Sequence, residues 1–391
     1  MKVDIVKLHM KHNALFKLLF LSSLIPLSLA GCTKENDPSE VEFRLKEFAS
    51  PVSLHTEKQQ SFFQETDFSD DLKDYGLGEV ENTRPLPVNL SWEVISAKKY
   101  VVKISENSDM SEAKKYVTNS KKLDFINAKV GTTYYWTVDA VYKSNTFTSE
   151  VSTFSTLNDG ARTIYIDGVN NFRDLGGYTL ANGKSFKQGM VYRSAKYNES
   201  SISTLKKNIT AIGLKQIEDL GIKTDIDLRK NEPDDSGIIE TSGITSSPLG
   251  NDINYYNCPM YYDGSTVIEV TNATKDAFNK ANIKKMFDYM SDASNYPMVF
   301  HCTQGKDRTG AIAYLIETLL GVSEDNKVRD YLFTNMSSIG GGYCKYTATR
   351  GYRTVLNKYQ GENLSEKAHN YLLAIGVSEN NINSIIDLLS E

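Results

Sequence analysis

The chain of 391 residues has no long basic block, and its 49 acidic residues outweigh its 44 lysines and arginines. That argues against general nucleic-acid binding. Cysteine is scarce, and the 4 present form no C-x-x-C pair, which argues against a structural zinc site. There is no apolar run fit to span a bilayer as a helix. The run from Leu18 to Ala30 is too short and is broken by serine and proline. It follows a positive front of Lys2, Lys7, Lys11 and Lys17, and it reads as a secretory signal over 1–31. What remains, 40% hydrophobic and 24% charged, is ordinary globular composition, and the length suits two or three domains.

The signal ends in Leu29-Ala30-Gly31-Cys32, which resembles the lipobox of bacterial lipoproteins. The resemblance implies cleavage before Cys32, lipidation of that cysteine, and a membrane anchor on an exported protein. Several acyl chains on one residue hold where a single chain would not. Lys34, Glu35 and Asp37 follow, similar to a surface-export signal, so the periplasmic face and the cell surface are both open. Cys258, Cys302 and Cys344 then remain, so at least one thiol is unpaired. A Cys258–Cys344 disulfide is one arrangement the sequence leaves open.

Residues 32–82 are polar and read as a spacer with one or two strands. Beyond them the pattern alternates. Leu90-Ser91-Trp92, Tyr100-Val101-Val102-Lys103-Ile104 and Tyr134 to Ala140 place aromatic and branched residues on every second position, with turn-rich pieces between. Several short strands at this spacing predict a β-sandwich over 83–157. Leu90-Ser-Trp92 early and Tyr135-Trp-Thr-Val138 late make this segment similar to a fibronectin type III domain. Such domains are commonly spacers or docking modules, which implies a protein or glycan partner. The aromatics read as core rather than as a ligand platform.

From 158 to 391 strands alternate with helices, which predicts an α/β domain with a mixed or parallel central sheet. Ile164 to Ile166, Met190 to Tyr192, Ile222 to Leu228, Asn254 to Met260 and Met298 to Phe300 read as strands. Ile202 to Leu220, as one helix or two short ones broken near Gly213, Thr274 to Met290, Gly310 to Leu320 and most of Ser323 to Leu389 read as helices.

One stretch carries the chemistry. The strand ending at Phe300 runs into His301-Cys302-Thr303-Gln304-Gly305-Lys306-Asp307-Arg308-Thr309-Gly310, and an apolar helix follows. A loop between a strand end and a helix N-terminus turns its backbone N–H groups inward, with Gly305 free to adopt unusual φ. Such a nest favours an anion, a cysteine sulfur as well as a phosphoryl oxygen. Thr303, Gln304, Gly305, Lys306 and Thr309 form the cradle, the planar fork of Arg308 fits two phosphate oxygens, and Thr309 is placed to donate to the sulfur. Cys302 is the nucleophile this arrangement suits, through a thiophosphate that water hydrolyses. No metal or other cofactor is required, because Arg308 and the loop amides neutralise the charge.

The stretch is similar to the signature of cysteine-dependent protein tyrosine phosphatases. With Asn171-Phe172-Arg173-Asp174-Leu175-Gly176-Gly177, Tyr192-Arg193-Ser194 and Asp227-Leu228-Arg229, it resembles the bacterial tyrosine and lipid phosphatase family. The resemblance implies a tyrosine-phosphatase-like fold and hydrolysis of phosphotyrosine and phosphoserine or phosphothreonine. Cys302 would be nucleophile and Arg308 the clamp, with His301 tuning Cys302. Lys306 beside Asp307 resembles phosphatases that accept phosphoinositides, so a phosphoinositide or inositol phosphate is the alternative substrate. Asn171, Arg173 and Asp174 read as a buttress. There is no Trp-Pro-Asp acid loop. The general acid is therefore open, first to Asp307, then Asp227, then Asp174, and Asn231 to Ser236 could close over the site. Two further readings stand: a surface binding module with a vestigial catalytic domain, and a sulfurtransferase.

Overall fold

The structure is a computed structural model. It describes residues 38–68, 75–198, 208–233, 239–241, 243–262, 266–339 and 343–391. Cys32 and its flanking export signal lie outside the described residues, as do residues 234–236 of the loop from Asn231 to Ser236.

The polar stretch ahead of the first alternating segment is built into the fold. Strand β1 (Arg44–Leu45) pairs with β2 (Val88–Glu93). Between them lies helix α1 (Glu57–Gln64), started by a capping box in which Thr56 and Gln59 exchange side-chain bonds to each other's backbone. Its Phe63 stacks on Phe333 at 5.1 Å, so the helix packs on the C-terminal half of the molecule.

Strands β3 (Lys99–Ser105), β4 (Lys114–Thr118), β5 (Lys122–Phe125), β6 (Thr133–Val141), β7 (Thr146–Thr148) and β8 (Ser152–Ser155) follow. They form two antiparallel sheets, β1-β2-β5 and β4-β3-β6-β7, with β8 also on β6. Leu90, Trp92, Tyr100, Val102, Ile104, Tyr134, Trp136 and Val138 are buried in one cluster shared by both sheets. These are the residues whose alternation marks the strands, and their aromatic rings are core.

The C-terminal part is a mixed five-stranded sheet. Its strands are β9 (Arg173–Asp174), β10 (Val191–Ser194), β11 (Thr224–Asp227), β12 (Asn254–Asn257) and β13 (Met298–His301), in the order β12-β11-β13-β10-β9. All pairs are parallel except β9 on β10. Helices α2 (Ala211–Leu220), α3 (Ala273–Met290), α4 (Asp307–Leu320), α5 (Glu324–Phe333), α6 (Tyr346–Leu356), α7 (Leu364–Ala374) and α8 (Glu379–Leu389) surround it. Gly221 ends α2 in the left-handed region, as its position predicts. Helix α4 is buried from Arg308 to Leu320, so an apolar run that reads as a helix is the central one.

Two expectations need correction. Ile164 to Ile166 is not a strand; Thr163 makes one isolated bridge to Arg173, and Ile164 and Ile166 pack into the core as irregular chain. Cys258, Cys302 and Cys344 are all free and buried, so the Cys258–Cys344 disulfide is absent.

Candidate active site

Strand β13 sits mid-sheet, and His301 is level with Ser194 on one neighbour and Asp227 on the other. The chain then leaves the sheet at Cys302 and re-enters regular structure at Asp307. This strand-end crevice is where parallel α/β sheets expose ligand sites. Gly305 takes φ +66°, and a Cβ there would stand 2.4 Å from the Ser194 carbonyl oxygen, so no other residue fits.

The loop is held from behind through its carbonyls. Asn171 Nδ2 donates to Gln304 O at 3.1 Å and to Gly305 O at 3.2 Å, and Arg193 Nη2 donates to Gly305 O at 2.8 Å. In a trans peptide the N–H points opposite to the C=O. Drawing these two carbonyls back therefore turns the Gly305 and Lys306 N–H groups forward, which is what an anion cradle needs.

The residues behind are anchored in turn. Arg173 donates to Asp330 Oδ1 at 2.6 Å and to Asp330 O at 2.7 Å, and Arg193 pairs with the other Asp330 oxygen. Burial would raise the Asp330 carboxyl, but the two arginines override it and hold it below its ordinary value. Asp174 bonds Arg162 at 2.7 Å and the Gly176 and Gly189 N–H groups. Asn171 thus reaches the loop directly, while Arg173 bonds Asn171 and Asp330 behind it. Asp174 faces Arg162, away from the loop, and is excluded as an acid.

Asp227 is excluded as well. It is fully buried and accepts from Arg229 Nε at 2.9 Å, Arg229 Nη2 at 2.7 Å and Tyr255 Oη at 3.0 Å. Burial alone would raise its carboxyl, but His301 and Arg229 lower it, so Asp227 is an ionised support with no proton to give. His301 Nδ1 lies 3.2 Å from Cys302 O and its ring packs on Tyr197 at 4.4 Å. Its Nε2 is 3.2 Å from Asp225 Oδ1, off hydrogen-bond alignment. The ring fixes the base of the loop.

Asp307 has the opposite environment. Its carboxyl opens the first turn of α4 and is only 19% exposed, with Lys306 Nζ at 3.6 Å. Burial pushes it above its ordinary value, and Lys306 and Arg308 only partly offset this. It is thus shifted toward the acid form, opposite to Asp227. The buried Thr309 hydroxyl has no partner within hydrogen-bond distance, so the expected bond to sulfur is not made.

The clamp has a partner that the sequence does not announce. Arg308 Nη1 and Nη2 donate to Glu240 Oε2 at 2.6 Å and Oε1 at 2.8 Å, while its Nε–H takes no part. Thr303 Oγ1 also donates to Glu240 at 3.0 Å, as does Lys230 N at 2.9 Å. Burial opposes ionisation, yet the Arg308 bonds bring Glu240 down to about 2 and raise Arg308. This pairing fixes the plane of the guanidinium before any substrate arrives. Glu240, Asp330 and the role of Arg193 are the site residues that sequence reasoning missed. Glu240 lies in a polar loop with no periodicity to mark it.

Beside the loop, a cavity of about 400 Å³ is walled by Tyr262, Tyr331, Tyr343, Lys345, Lys306 and Asp307. Two of its polar groups, Lys306 and Lys345, are cationic.

Residues 164–389 match the tyrosine phosphatase family. The chain belongs to that family. It is 29% identical over 196 residues to a candidate tyrosine-protein phosphatase of Cupriavidus necator, covering 45% of this chain and 64% of that protein. It is 28% identical over 140 residues to the candidate tyrosine-protein phosphatase OCA1 of Meyerozyma guilliermondii, covering 36% and 64%. The chain thus spans a little under two thirds of the length of the curated relatives it matches. Among solved structures it is similar to the Siw14 catalytic core, at 15% identity and TM-score 0.30, over 53% of this chain and 96% of the other.

Proposed function

We propose that this tyrosine phosphatase family member hydrolyses phosphomonoesters through a cysteinyl-phosphate intermediate, with phosphotyrosine as its first substrate class and phosphoserine or phosphothreonine as further ones. The observation that carries this is the loop itself: Cys302 at a strand end, carbonyls drawn back, N–H groups forward, and Arg308 pre-set by Glu240. Cys302 sulfur attacks phosphorus and the P–O bond to the leaving group breaks. Asp307 gives its proton to the leaving oxygen. Water then attacks the phosphorus of the thiophosphate, Asp307 takes the water proton, the S–P bond breaks to free the Cys302 sulfur, and inorganic phosphate leaves. Phosphate release from phosphopeptides, phosphoinositides and inositol phosphates, with Cys302→Ser as control, tests the reading. Turnover retained in Cys302→Ser would sink it.

A second substrate reading is favoured by one observation. Lys306 and Lys345 line the same cavity, and two cations beside a phosphate cradle suit a substrate with more than one phosphate, such as a phosphoinositide or inositol phosphate. Lys345→Met would then depress turnover of those esters and spare an aryl phosphate.

Two placements complete the proposal. Cys32 is the lipidated anchor of an exported lipoprotein; metabolic labelling with a fatty acid that fails in Cys32→Ala checks it. The two-sheet unit is a fibronectin type III-like docking module, supported by its two antiparallel sheets, of three and five strands, over one shared core.

A further inference from the structure

We infer that Glu81 is a positioning residue for the phosphate-binding loop, although it lies well ahead of the family's own domain. The inference rests on the phosphatase reading above.

The segment between α1 and β2 does not merely pass the C-terminal part. Gly78 N donates to Asn335 O at 3.0 Å, Ile339 N donates back to Gly78 O at 3.0 Å, and Asn82 N donates to Met336 O at 2.6 Å. It is thus tied to 335–339 by three backbone bonds, turn against turn. Glu81 fixes the middle of that pairing. Its Oε2 accepts from Ser337 Oγ at 3.0 Å and from Ser338 N at 3.1 Å, while Oε1 accepts from Thr83 N at 3.3 Å. A carboxylate holding a backbone N–H and a hydroxyl together makes charge-assisted bonds, stronger than a neutral side chain would give.

What Glu81 holds touches the cradle directly. Ile339 O accepts from Gln304 Nε2 at 3.4 Å, within the loop that would bind phosphate. Ser338 O accepts from Asn170 Nδ2 at 2.6 Å, and Asn170 O accepts from Ala195 N beside the Gly305 contact strand. Asn335, at the near end of the segment, donates to Cys344 O at 3.0 Å and accepts from Cys344 N at 2.6 Å. Cys344 stands between Tyr343 and Lys345, two walls of the cavity. Segment 335–339 therefore couples to the cradle at Gln304 and to the substrate wall at Cys344, and Glu81 pins it from outside.

The substrate-binding geometry thus depends on a residue that a domain cut at residue 164 would discard. Glu81 touches no substrate; it acts through Gln304 and the cavity wall.

The test uses the full chain with Glu81→Gln, Glu81→Asp and Ser337→Ala. KM for an aryl phosphate and the inhibition constant of orthovanadate should each rise about fivefold to tenfold in Glu81→Gln, with kcat within about threefold, since a lost charge-assisted bond is shared between anchor and cradle. Ser337→Ala should reproduce part of the effect, and Glu81→Asp should recover part of it. Hydrogen exchange, read on folded protein, should quicken in 302–309 as well as in 335–339. Faster exchange confined to 335–339, with KM and vanadate affinity unchanged, would overturn the inference and leave Glu81 a structural tie only. If the wild-type chain turns over no phosphate ester, the phosphatase reading fails, while exchange at 302–309 still decides the coupling.

Discussion

The phosphate-binding loop has two faces, both built from arginine and carboxylate, and they do different work. Behind it, Arg173, Arg193 and Asp330 are fully buried and bonded to one another and to the loop's carbonyls. In front, Arg308 and Glu240 are 11% and 14% exposed, and Lys306 and Asp307 line an open cavity. A cluster closed off from solvent fixes geometry. A pair with one edge toward solvent keeps a cation available. The difference teaches that charge alone does not mark a site; what matters is whether a charged group keeps an edge toward solvent.

The sharpest break of this comparison is at the front. Cys302→Ser and Arg308→Met should each lower aryl phosphate turnover by about four powers of ten, and Cys302→Ser should leave the melting temperature near wild type. Equal damage to stability would erase the distinction between the faces. At the back the signs reverse. Asp330→Asn leaves two buried arginines with half their partner, and denaturant titration should show a loss of about 3–5 kcal/mol.

Asp307→Asn is next. It should slow esters with poor leaving groups by about a hundredfold and spare an activated aryl phosphate. Its folded carboxyl is raised above the unfolded value. The stability tied to its neutral form is therefore present at low pH and lost as pH rises through the raised value, so at neutral pH the ionised group strains the fold. Asp307→Asn should melt slightly higher than wild type at pH 7, and the alkaline limb of the rate profile for poor leaving groups should vanish with it.

The smallest effect is at Glu240. Glu240→Gln should raise KM about tenfold by loosening the Arg308 plane. With its folded value near 2, below the ordinary 4.5, Glu240 contributes stability above about pH 4.5 that is lost as pH falls toward 2. Glu240→Gln should remove that acid transition from the unfolding curve.

Much of this was legible in the sequence because it is written in local pattern. Alternation at Tyr134, Trp136 and Val138 marks a strand, and the apolar run after Arg308 marks a helix. Cys302, Gly305 and Arg308 fall close together in one loop, so their chemistry reads directly. Glu240 meets Arg308 only because the sheet brings the loop after β11 over β13. Asp330 reaches Arg173 and Arg193 only because α5 folds back on the sheet. Neither carries a periodicity, a cap or a turn. The segment 32–82 was misleading for a related reason: Phe62 and Phe63 are two apolar residues in a polar stretch, too few to mark a helix, yet their packing on Phe333 fixes it. Asp227 was misleading because a strand-end carboxylate looks like an acid until Arg229, two residues on, is seen to fold back onto it.

The register of β10, β13 and β11 has a consequence for how this protein could change over time. Ser194, His301 and Asp227 are level because three short parallel strands are paired without offset. Side chains on a strand alternate with a period of two. Losing or gaining a single residue within Thr224–Asp227 would swing Ile226 toward His301 and turn Asp225 and Asp227 into the apolar layer. Insertions in the surrounding loops carry no such penalty. The site is thus free to drift in the lengths of its loops and closed to drift in the length of its strands.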